Sequence, residues 1–212
     1  MTRTRIKICG ITNVEHARLA ADEGADAIGL VFYPDSPRYL SIRDAAIIAE
    51  SLPPFVAAVG LFVNAAERDI RAVLDAVDLD LLQFHGDETA EFCARFGRPY
   101  MRAVPMEKGV DLLEYADRFS RAKALLLDAH VPGQPGGTGR TFDWTGIPRG
   151  VALPLVLSGG LTADNVGPAM RAVRPWAVDV SSGVESERGV KDPRKIIEFI
   201  RSVQREDGHS SS

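Results

Sequence analysis

Short apolar runs alternate along the chain with longer segments in which apolar residues recur every three or four positions. The short runs are continuously apolar, which is typical of parallel strands that are covered on both faces. They predict eight strands, at Arg5–Ile8, Ala27–Phe32, Val56–Phe62, Asp80–Phe84, Tyr100–Val104, Ala124–Leu127, Leu155–Leu157 and Ala177–Val180.

The segments between these runs have helical spacing, and three of them begin at residues that cap helices well. Asn13, Ser41 and Asp192 can each accept hydrogen bonds from the first N–H groups of the segment that follows. Seven helices are predicted, at Asn13–Glu23, Ser41–Ser51, Ala65–Ala76, Glu88–Phe96, Leu112–Phe119, Ala163–Arg171 and Pro193–Gln204. After the sixth strand the pattern predicts only a turn, near Phe142–Thr145.

This alternation indicates an α/β fold with a parallel sheet. An open, doubly wound sheet is the alternative, but that fold usually needs only five or six strands. Eight strands, at about 26 residues per strand–helix unit, favour a closed (β/α)₈ barrel. We therefore predict one barrel domain over residues 1–205, and a disordered polar tail from Glu206 to Ser212.

Composition excludes several classes of function. The formal net charge is −4 and the pI is near 5.6, so the chain has no basic footprint for nucleic acid. No stretch reaches the roughly 18 uninterrupted apolar residues of a membrane span, and the opening MTRTRIK lacks the apolar region of a signal peptide. Two cysteines are too few for a disulfide scaffold. We expect a cytoplasmic protein that binds neither nucleic acid nor membrane.

Glycine-rich segments follow the last three predicted strands, on the face where barrel enzymes carry their active sites. Glycine lets backbone N–H groups approach an anion closely, and barrels often hold a phosphate between the loops after strands seven and eight. Any one segment alone is explained by a tight turn, but the three together predict a phosphate site. Its candidate residues are Gly137, Thr138, Gly139, Gly159, Gly160, Ser181, Ser182 and Gly183.

Two reactive side chains stand at strand ends, Cys9 after strand one and Asp128 after strand six. Lys7 shares a strand face with Cys9, so inside a barrel it is expected to lower the thiol pKa and favour the thiolate. A small buried hydrophobe is the alternative for Cys9. Asp128 follows the apolar run Ala124–Leu127, where a raised carboxyl pKa suits a general acid; a helix cap or a surface carboxylate is the alternative. Cys93 is expected only to pack.

Four further polar residues lie in or near the same loops. Arg38 suits bidentate contact with a carboxylate or phosphate, although a solvated surface arginine is the alternative. Gln83, His85 and Asp179 lie at or near strand ends. His85 is either an acid/base group or, as we favour, a hydrogen-bonding residue. The His, Asp and Glu residues show no metal-ligand spacing, so no metal site is predicted.

Several segments resemble the phosphoribosylanthranilate isomerase family. The pair K-I-C-G-I-T and S-P-R-Y is the most specific part of the resemblance, which extends from the first strand to the eighth. The matching segments are residues 7–12, 32–39, 83–86, 136–144, 158–161 and 179–185.

This resemblance implies an isomerase of tryptophan biosynthesis. The implied reaction is the Amadori rearrangement of N-(5′-phosphoribosyl)anthranilate to 1-(2-carboxyphenylamino)-1-deoxyribulose 5-phosphate, without metal or organic cofactor. Asp128 matches the family's general acid, Cys9 its general base, and Arg38 the group that holds the anthranilate carboxylate. The resemblance also implies that the glycine-rich loops hold the phosphate. The remaining substrate-binding candidates are Gln83, His85 and Asp179.

Three alternatives remain beside this interpretation. The histidine-pathway isomerase is expected to carry an Asp where this chain has Cys9, and indoleglycerol-phosphate synthase a longer N-terminal extension. A silent ligand-binding barrel is expected to lack Cys9 or Asp128, and both are present. The sequence is compatible with a monomer or a homodimer.

Overall fold

The computed structural model describes residues 3–106, 110–129 and 143–209. Eight parallel strands close into a barrel in which each strand pairs with the next along the chain and the eighth pairs with the first. They are β1 Arg5–Cys9, β2 Ala27–Val31, β3 Ala57–Phe62, β4 Leu81–Phe84, β5 Tyr100–Pro105, β6 Ala124–Asp128, β7 Leu155–Leu157 and β8 Ala177–Val180. The predicted (β/α)₈ barrel is confirmed.

The helices pack around this barrel and begin largely where the capping residues predict. The Asn13 side chain accepts a hydrogen bond from the His16 N–H, and the Ser41 side chain accepts one from the Asp44 N–H. The helices are α1 Val14–Glu23, α2 Ile42–Glu50, α3 Glu67–Ala76, α4 Ala90–Cys93, α5 Leu112–Arg118, α6 Val166–Val173 and α7 Pro193–His209. Among the described residues, no helix is long and apolar enough to cross a membrane.

Three predicted helices, α3, α4 and α6, begin two or three residues later than expected, and in the last two side chains hold the preceding residues in turns. Thr89 caps α4, while the Glu88 carboxylate binds Arg102 instead of joining the helix. The Asn165 side chain accepts from the Thr162 N–H and donates to a backbone carbonyl, which fixes a turn ahead of α6. After β6 the structure has a short 3-10 helix at Trp144–Gly146, close to the predicted turn.

The prediction of a disordered tail is wrong as far as His209, because α7 continues to that residue. Asp207 accepts hydrogen bonds from the N–H and the hydroxyl of Thr4, at 2.8 and 2.9 Å, and Glu206 pairs with Arg171. These contacts fasten the end of the helix to the start of β1 and to α6. Residues 210–212 lie outside the described part of the chain.

A two-stranded antiparallel hairpin between β8 and α7 is absent from the predicted elements. It consists of β9 Glu185–Glu187 and β10 Val190–Lys191. A Cβ on Gly189 at its turn would lie 2.7 Å from the carbonyl oxygen of Pro37, so the hairpin packs closely on the loop that carries Arg38.

Strand alternation divides the barrel into two apolar regions and one polar end. Residues such as Met101 and Leu126 fill the interior, while a larger core lies between the strands and the helices. Every second residue of a strand points into the barrel. Two residues beyond the interior apolar residues, toward the carboxyl ends of the strands, the inward positions are those of Gln83, Asp128 and Ser158. The polar residues of the barrel are thereby gathered at the predicted catalytic face.

Candidate active site

A buried ion pair connects β1 and β8 beneath this face. Lys7 and Asp179 are partners in the strand register, and Lys7 Nζ lies 2.6 Å from Asp179 Oδ1. The Ser158 hydroxyl donates to the other carboxylate oxygen at 3.0 Å. Burial opposes the charge of Lys7, but Asp179 and Cys9 outweigh it and raise the Lys7 pKa above its usual value. Lys7 is therefore a charged group inside the barrel.

Cys9 lies one inward position beyond Lys7 and is itself buried, with 5% of its surface exposed. Its register partner on β2 is Gly29, where a Cβ would lie 2.7 Å from the Cys9 Sγ. Gly29 thus leaves the space that the thiol occupies.

The direction of the Cys9 pKa differs from the prediction. Burial, the largest influence, and the charge of Asp179 both raise the pKa of the thiol, whereas Lys7 and Lys191 lower it. Lys7 lowers the thiol pKa, as expected, but the net shift is upward. The expectation that Lys7 favours the thiolate of Cys9 is therefore wrong in its outcome. An ionised Cys9 in this setting is correspondingly a stronger base.

Asp128, at the end of β6, lies in a less buried environment with a histidine partner. Its Oδ2 is 2.8 Å from His85 Nε2, and the two side chains are 19% and 18% exposed. The other ring nitrogen, Nδ1, is 2.9 Å from the side-chain nitrogen of Gln83. With that amide donating to Nδ1, the imidazole proton resides on Nε2 and is shared with Asp128. Gln83 and His85 therefore orient the carboxylate.

A second buried ion pair, which sequence reasoning missed, holds the loop that carries His85. Arg102 on β5 binds Glu88 at 2.8 Å and donates to the carbonyls of Phe84, at 3.1 Å, and Gly86. Glu88 in turn accepts from the Gly86 N–H at 2.9 Å. Arg102 points outward from the barrel, so the only sequence signal for this role was a charged residue within an otherwise apolar strand.

Arg38 belongs to a third buried charged group, with Glu185 and Lys191 of the hairpin. Its Nε and Nη2 lie 2.7 and 2.8 Å from the two oxygens of Glu185, and Lys191 Nζ is 2.8 Å from one of them. Burial alone favours the neutral acid, but Arg38 and Lys191 outweigh it and lower the pKa of Glu185 to about 2. Arg38 is buried, so its interpretation as a solvated surface residue is wrong.

The glycine-rich loops after β7 and β8 touch each other at the same end of the barrel. A Cβ on Gly183 would clash with the carbonyl of Leu161, and Gly159 and Gly160 adopt positive φ angles of 80° and 66°. The loop after β8 includes a short 3-10 helix, Ser182–Val184. The third predicted loop, with Gly137, Thr138 and Gly139, lies outside the described residues.

Cys93 is buried, and burial raises its pKa to about 12, which fits the packing role predicted for it. Within the described ranges, no group of three or more His, Cys, Asp or Glu residues is arranged to hold a metal ion.

Comparison with known proteins identifies the family. A family model described as N-(5′-phosphoribosyl)anthranilate (PRA) isomerase matches residues 6–202, which include all eight strands but the first residue of β1. The chain belongs to this family. The resemblance inferred from the strand-end segments is confirmed, as is the prediction that the protein is an isomerase.

Relatives and solved structures agree with this family over nearly the whole chain. The N-(5′-phosphoribosyl)anthranilate isomerase of Azotobacter vinelandii is 54% identical over 204 residues, 96% of this chain and 99% of the relative. A phosphoribosyl anthranilate isomerase solved in complex with reduced 1-(o-carboxyphenylamino)-1-deoxyribulose 5-phosphate is 42% identical with a TM-score of 0.83, covering 95% of this chain and 98% of its own.

A third similar protein is described as a dimer. The structure concerns monomers made from the dimeric phosphoribosylanthranilate isomerase of Thermotoga maritima. It is 41% identical, with a TM-score of 0.83, and the match covers 95% of this chain and 98% of that one.

Proposed function

We propose that this chain converts N-(5′-phosphoribosyl)anthranilate to 1-(2-carboxyphenylamino)-1-deoxyribulose 5-phosphate, as an enzyme of tryptophan biosynthesis. Family membership supports the reaction, and a relative has been solved with the reduced form of this product. The observation that carries the assignment of residues is the position of Cys9 and Asp128. Both stand at the carboxyl ends of strands in one barrel mouth, Cys9 beyond the buried Lys7–Asp179 pair and Asp128 beside His85.

Asp128 is the general acid of the first step. It donates a proton to the ring oxygen of the ribose, the bond from C1′ to that oxygen breaks, and the nitrogen lone pair forms the C=N bond of a protonated Schiff base. The hydrogen bond from His85 stabilises the carboxylate that remains, because it places a donor against the developing negative charge.

Cys9 is the general base of the second step. Its thiolate takes the proton from C2′, and the electron pair of that C–H bond forms the C1′=C2′ bond while the iminium nitrogen becomes an amine. The enolamine then tautomerises: the C2′ hydroxyl loses its proton to become the ketone and C1′ gains one. The cation formed in the first step lowers the thiol pKa by charge attraction, which opposes the effect of burial.

The substrate's two anionic groups have separate candidate sites. A guanidinium has five N–H groups. In the described part of the chain Glu185 accepts two from Arg38, which leaves three for the anthranilate carboxylate. For the phosphate we propose the loops after β6, β7 and β8, where no N–H of Gly159, Gly160, Ser182 or Gly183 donates to another described residue. Asp179, Gln83 and His85 remain proposed substrate contacts beside their bonds within the protein.

We also propose a cytoplasmic location. The oligomeric state is either a monomer or a homodimer. The Thermotoga maritima relative is named as dimeric. Light scattering of the purified chain across micromolar concentrations distinguishes the two states, since a dimer has twice the mass of the 23.0 kDa chain.

A fluorescence assay tests the reaction directly. The anthranilate-type fluorescence of freshly generated N-(5′-phosphoribosyl)anthranilate is expected to disappear with the wild-type protein, with a product of unchanged mass. Cys9→Ala and Asp128→Asn serve as matched variants. A folded wild-type protein that leaves the fluorescence unchanged contradicts the proposal, and the aminoaldose of the histidine pathway is then the substrate to try.

A further inference from the structure

Lys191, in strand β10 of the hairpin, is a buried lysine that the reaction itself does not use. Its side chain is fully buried, at 0% exposure. The Nζ atom lies 2.9 Å from the carbonyl oxygen of Ser181, 3.3 Å from the Ser181 hydroxyl and 2.8 Å from Glu185 Oε1. An ammonium has three N–H groups, and each has an acceptor within the protein. Lys191 therefore has no donor left for a substrate.

One chain of hydrogen bonds leads from Lys191 through Glu185 to Arg38. Glu185 Oε1 accepts from both Lys191 and Arg38, while Oε2 accepts from Arg38 Nη2 and, at 3.2 Å, from the Gly189 N–H. The carboxylate is thus held from four directions. Since Glu185 binds Arg38 through two parallel hydrogen bonds, fixing the carboxylate also fixes the plane of the guanidinium.

A second set of hydrogen bonds joins Lys191 to Ser181, in the loop after β8. In a trans peptide the C=O and the following N–H point in opposite directions. Because the Ser181 carbonyl is held toward Lys191, the N–H of Ser182 must point away from it. That N–H is the first donor in the Ser182–Gly183 segment proposed for the phosphate.

Arg38 and Ser181, which Lys191 connects, lie close to each other and to the reactive thiol. Gly10, the neighbour of Cys9, lies between them: a Cβ there would clash with Arg38 Cδ and would lie 3.2 Å from the Ser181 hydroxyl. Gly10 therefore packs against both Arg38 and Ser181, and Lys191 reaches the same two residues through Glu185 and the Ser181 carbonyl.

Charge gives the group a preference for anions. Arg38 and Lys191 are positive and Glu185 is negative, which leaves one net positive charge (+2 − 1 = +1) in a buried location. Burial is the largest influence on Lys191 and lowers its pKa, since Glu185 offsets the cost of the buried charge only in part. A bound carboxylate or phosphate compensates the remainder.

We propose that Lys191 is a positioning residue that couples the carboxylate subsite at Arg38 to the phosphate subsite at Ser181–Gly183. This inference rests on the proposed function, because both subsites belong to it. Lys191 then affects two binding events without contacting either anion.

Two simple anions probe the two subsites separately. Anthranilate and inorganic phosphate are each measured as competitive inhibitors of the isomerase, in wild type, in Lys191→Met and in Arg188→Met. Arg188 is an exposed cation at the turn of the same hairpin and serves as the matched control. We expect Lys191→Met to weaken both inhibitors by about 10-fold or more and to raise KM more than it lowers kcat. Arg188→Met is expected to weaken neither.

Two results overturn the coupling. One is a folded Lys191→Met protein whose inhibition constants match those of Arg188→Met, even if its thermal stability is lower. The other is weakening of only one inhibitor. If Lys191→Met does not fold, Lys191→Arg replaces it, and the same joint weakening is expected because a larger planar head group cannot meet Ser181 and Glu185 from the space of an ammonium.

Failure of the proposed function is recognised separately. In that case the wild-type protein does not turn over the substrate, and binding of phosphate and anthranilate to wild type and variants is measured by calorimetry instead. Joint weakening in that titration still supports the coupling, and independent binding still contradicts it.

Discussion

The barrel mouth has two unlike halves, one around Cys9 and one around Asp128. The Cys9 half contains the Lys7–Asp179 pair, whose side chains are each 5% exposed, and all of its polar groups face other protein groups. In the Asp128 half the carboxylate and its partner His85 are 19% and 18% exposed, and the other ring nitrogen of His85 contacts the Gln83 side chain.

The difference matches the two tasks proposed for these residues. A base that must remove a proton from carbon gains strength when water is excluded, because burial raises its pKa. An acid that must be reprotonated in every cycle needs access to water or to a histidine. The difference in solvation between the two halves is therefore the one that the two proposed steps would need.

The largest expected effect comes from removing the base. Cys9→Ser keeps the size of the side chain but replaces the thiol by a hydroxyl, and kcat is expected to fall by roughly 10²–10⁴-fold or more. The fluorescence assay measures it. Cys93→Ala, at the other buried cysteine, is the control and is expected to retain turnover. Turnover of Cys9→Ser near that of wild type contradicts the assignment of the base.

Breaking the ion pair under Cys9 is the next largest change. Lys7→Met leaves Asp179 buried without its counter-charge, and we expect a loss of about 3–5 kcal/mol in the free energy of unfolding, measured by urea denaturation. Arg3→Met removes the exposed pair of Arg3 with Asp26, just before the strand that carries Lys7, and is expected to lower the free energy of unfolding by about 1 kcal/mol or less. Equal losses in the two variants would remove the contrast between a buried and a solvated site.

A smaller substitution tests the space around the thiol. Gly29→Ala puts a Cβ 2.7 Å from the Cys9 Sγ and 2.9 Å from its Cα, so the thiol must move. We expect kcat to fall about 10- to 100-fold, since small displacements of reacting groups are costly. Gly146→Ala is the control, because no atom lies within 4 Å of its Cβ position. If Gly29→Ala turns over like Gly146→Ala, the thiol does not need this position.

The pH dependence gives the mildest test and depends on the sign of the Cys9 shift. The active form carries one proton on the acid and none on the base, so kcat/KM is flat between the two pKa values. Since the pKa of Cys9 is raised, the fall at alkaline pH should begin above the ordinary thiol value of about 8.5. In Asp128→Asn only the base titrates, so the residual kcat/KM should instead rise with pH in that range. Parallel profiles in wild type and variant would contradict the two-group scheme.

Local patterns predicted the strands, the caps of α1 and α2 and the inward alternation that brings Lys7 and Cys9 together. The groups that set their chemistry are distant in sequence. Asp179 is 172 residues from Lys7, so its effect on the Cys9 pKa becomes visible only when the barrel closes.

The same limit explains the residues that sequence reasoning missed. Glu185 is 147 residues from Arg38, and it gives that arginine a fixed orientation that no local motif encodes. The end of α7 depends on Asp207, which binds Thr4 across 203 residues. A polar sequence at a chain end predicts disorder by composition, whereas contacts with Thr4 and Arg171, distant in sequence, accompany the helix here.

The division of labour between Cys9 and Asp128 is tested most directly by the isotope effect on removal of the C2′ hydrogen. Single-turnover rates are compared for substrate with hydrogen or deuterium at C2′, in Cys9→Ser and Asp128→Asn. We expect a large primary isotope effect in Cys9→Ser, where proton removal limits the rate, and a small one in Asp128→Asn, where ring opening does. Equal isotope effects in the two variants, or the larger one in Asp128→Asn, would contradict this division of labour.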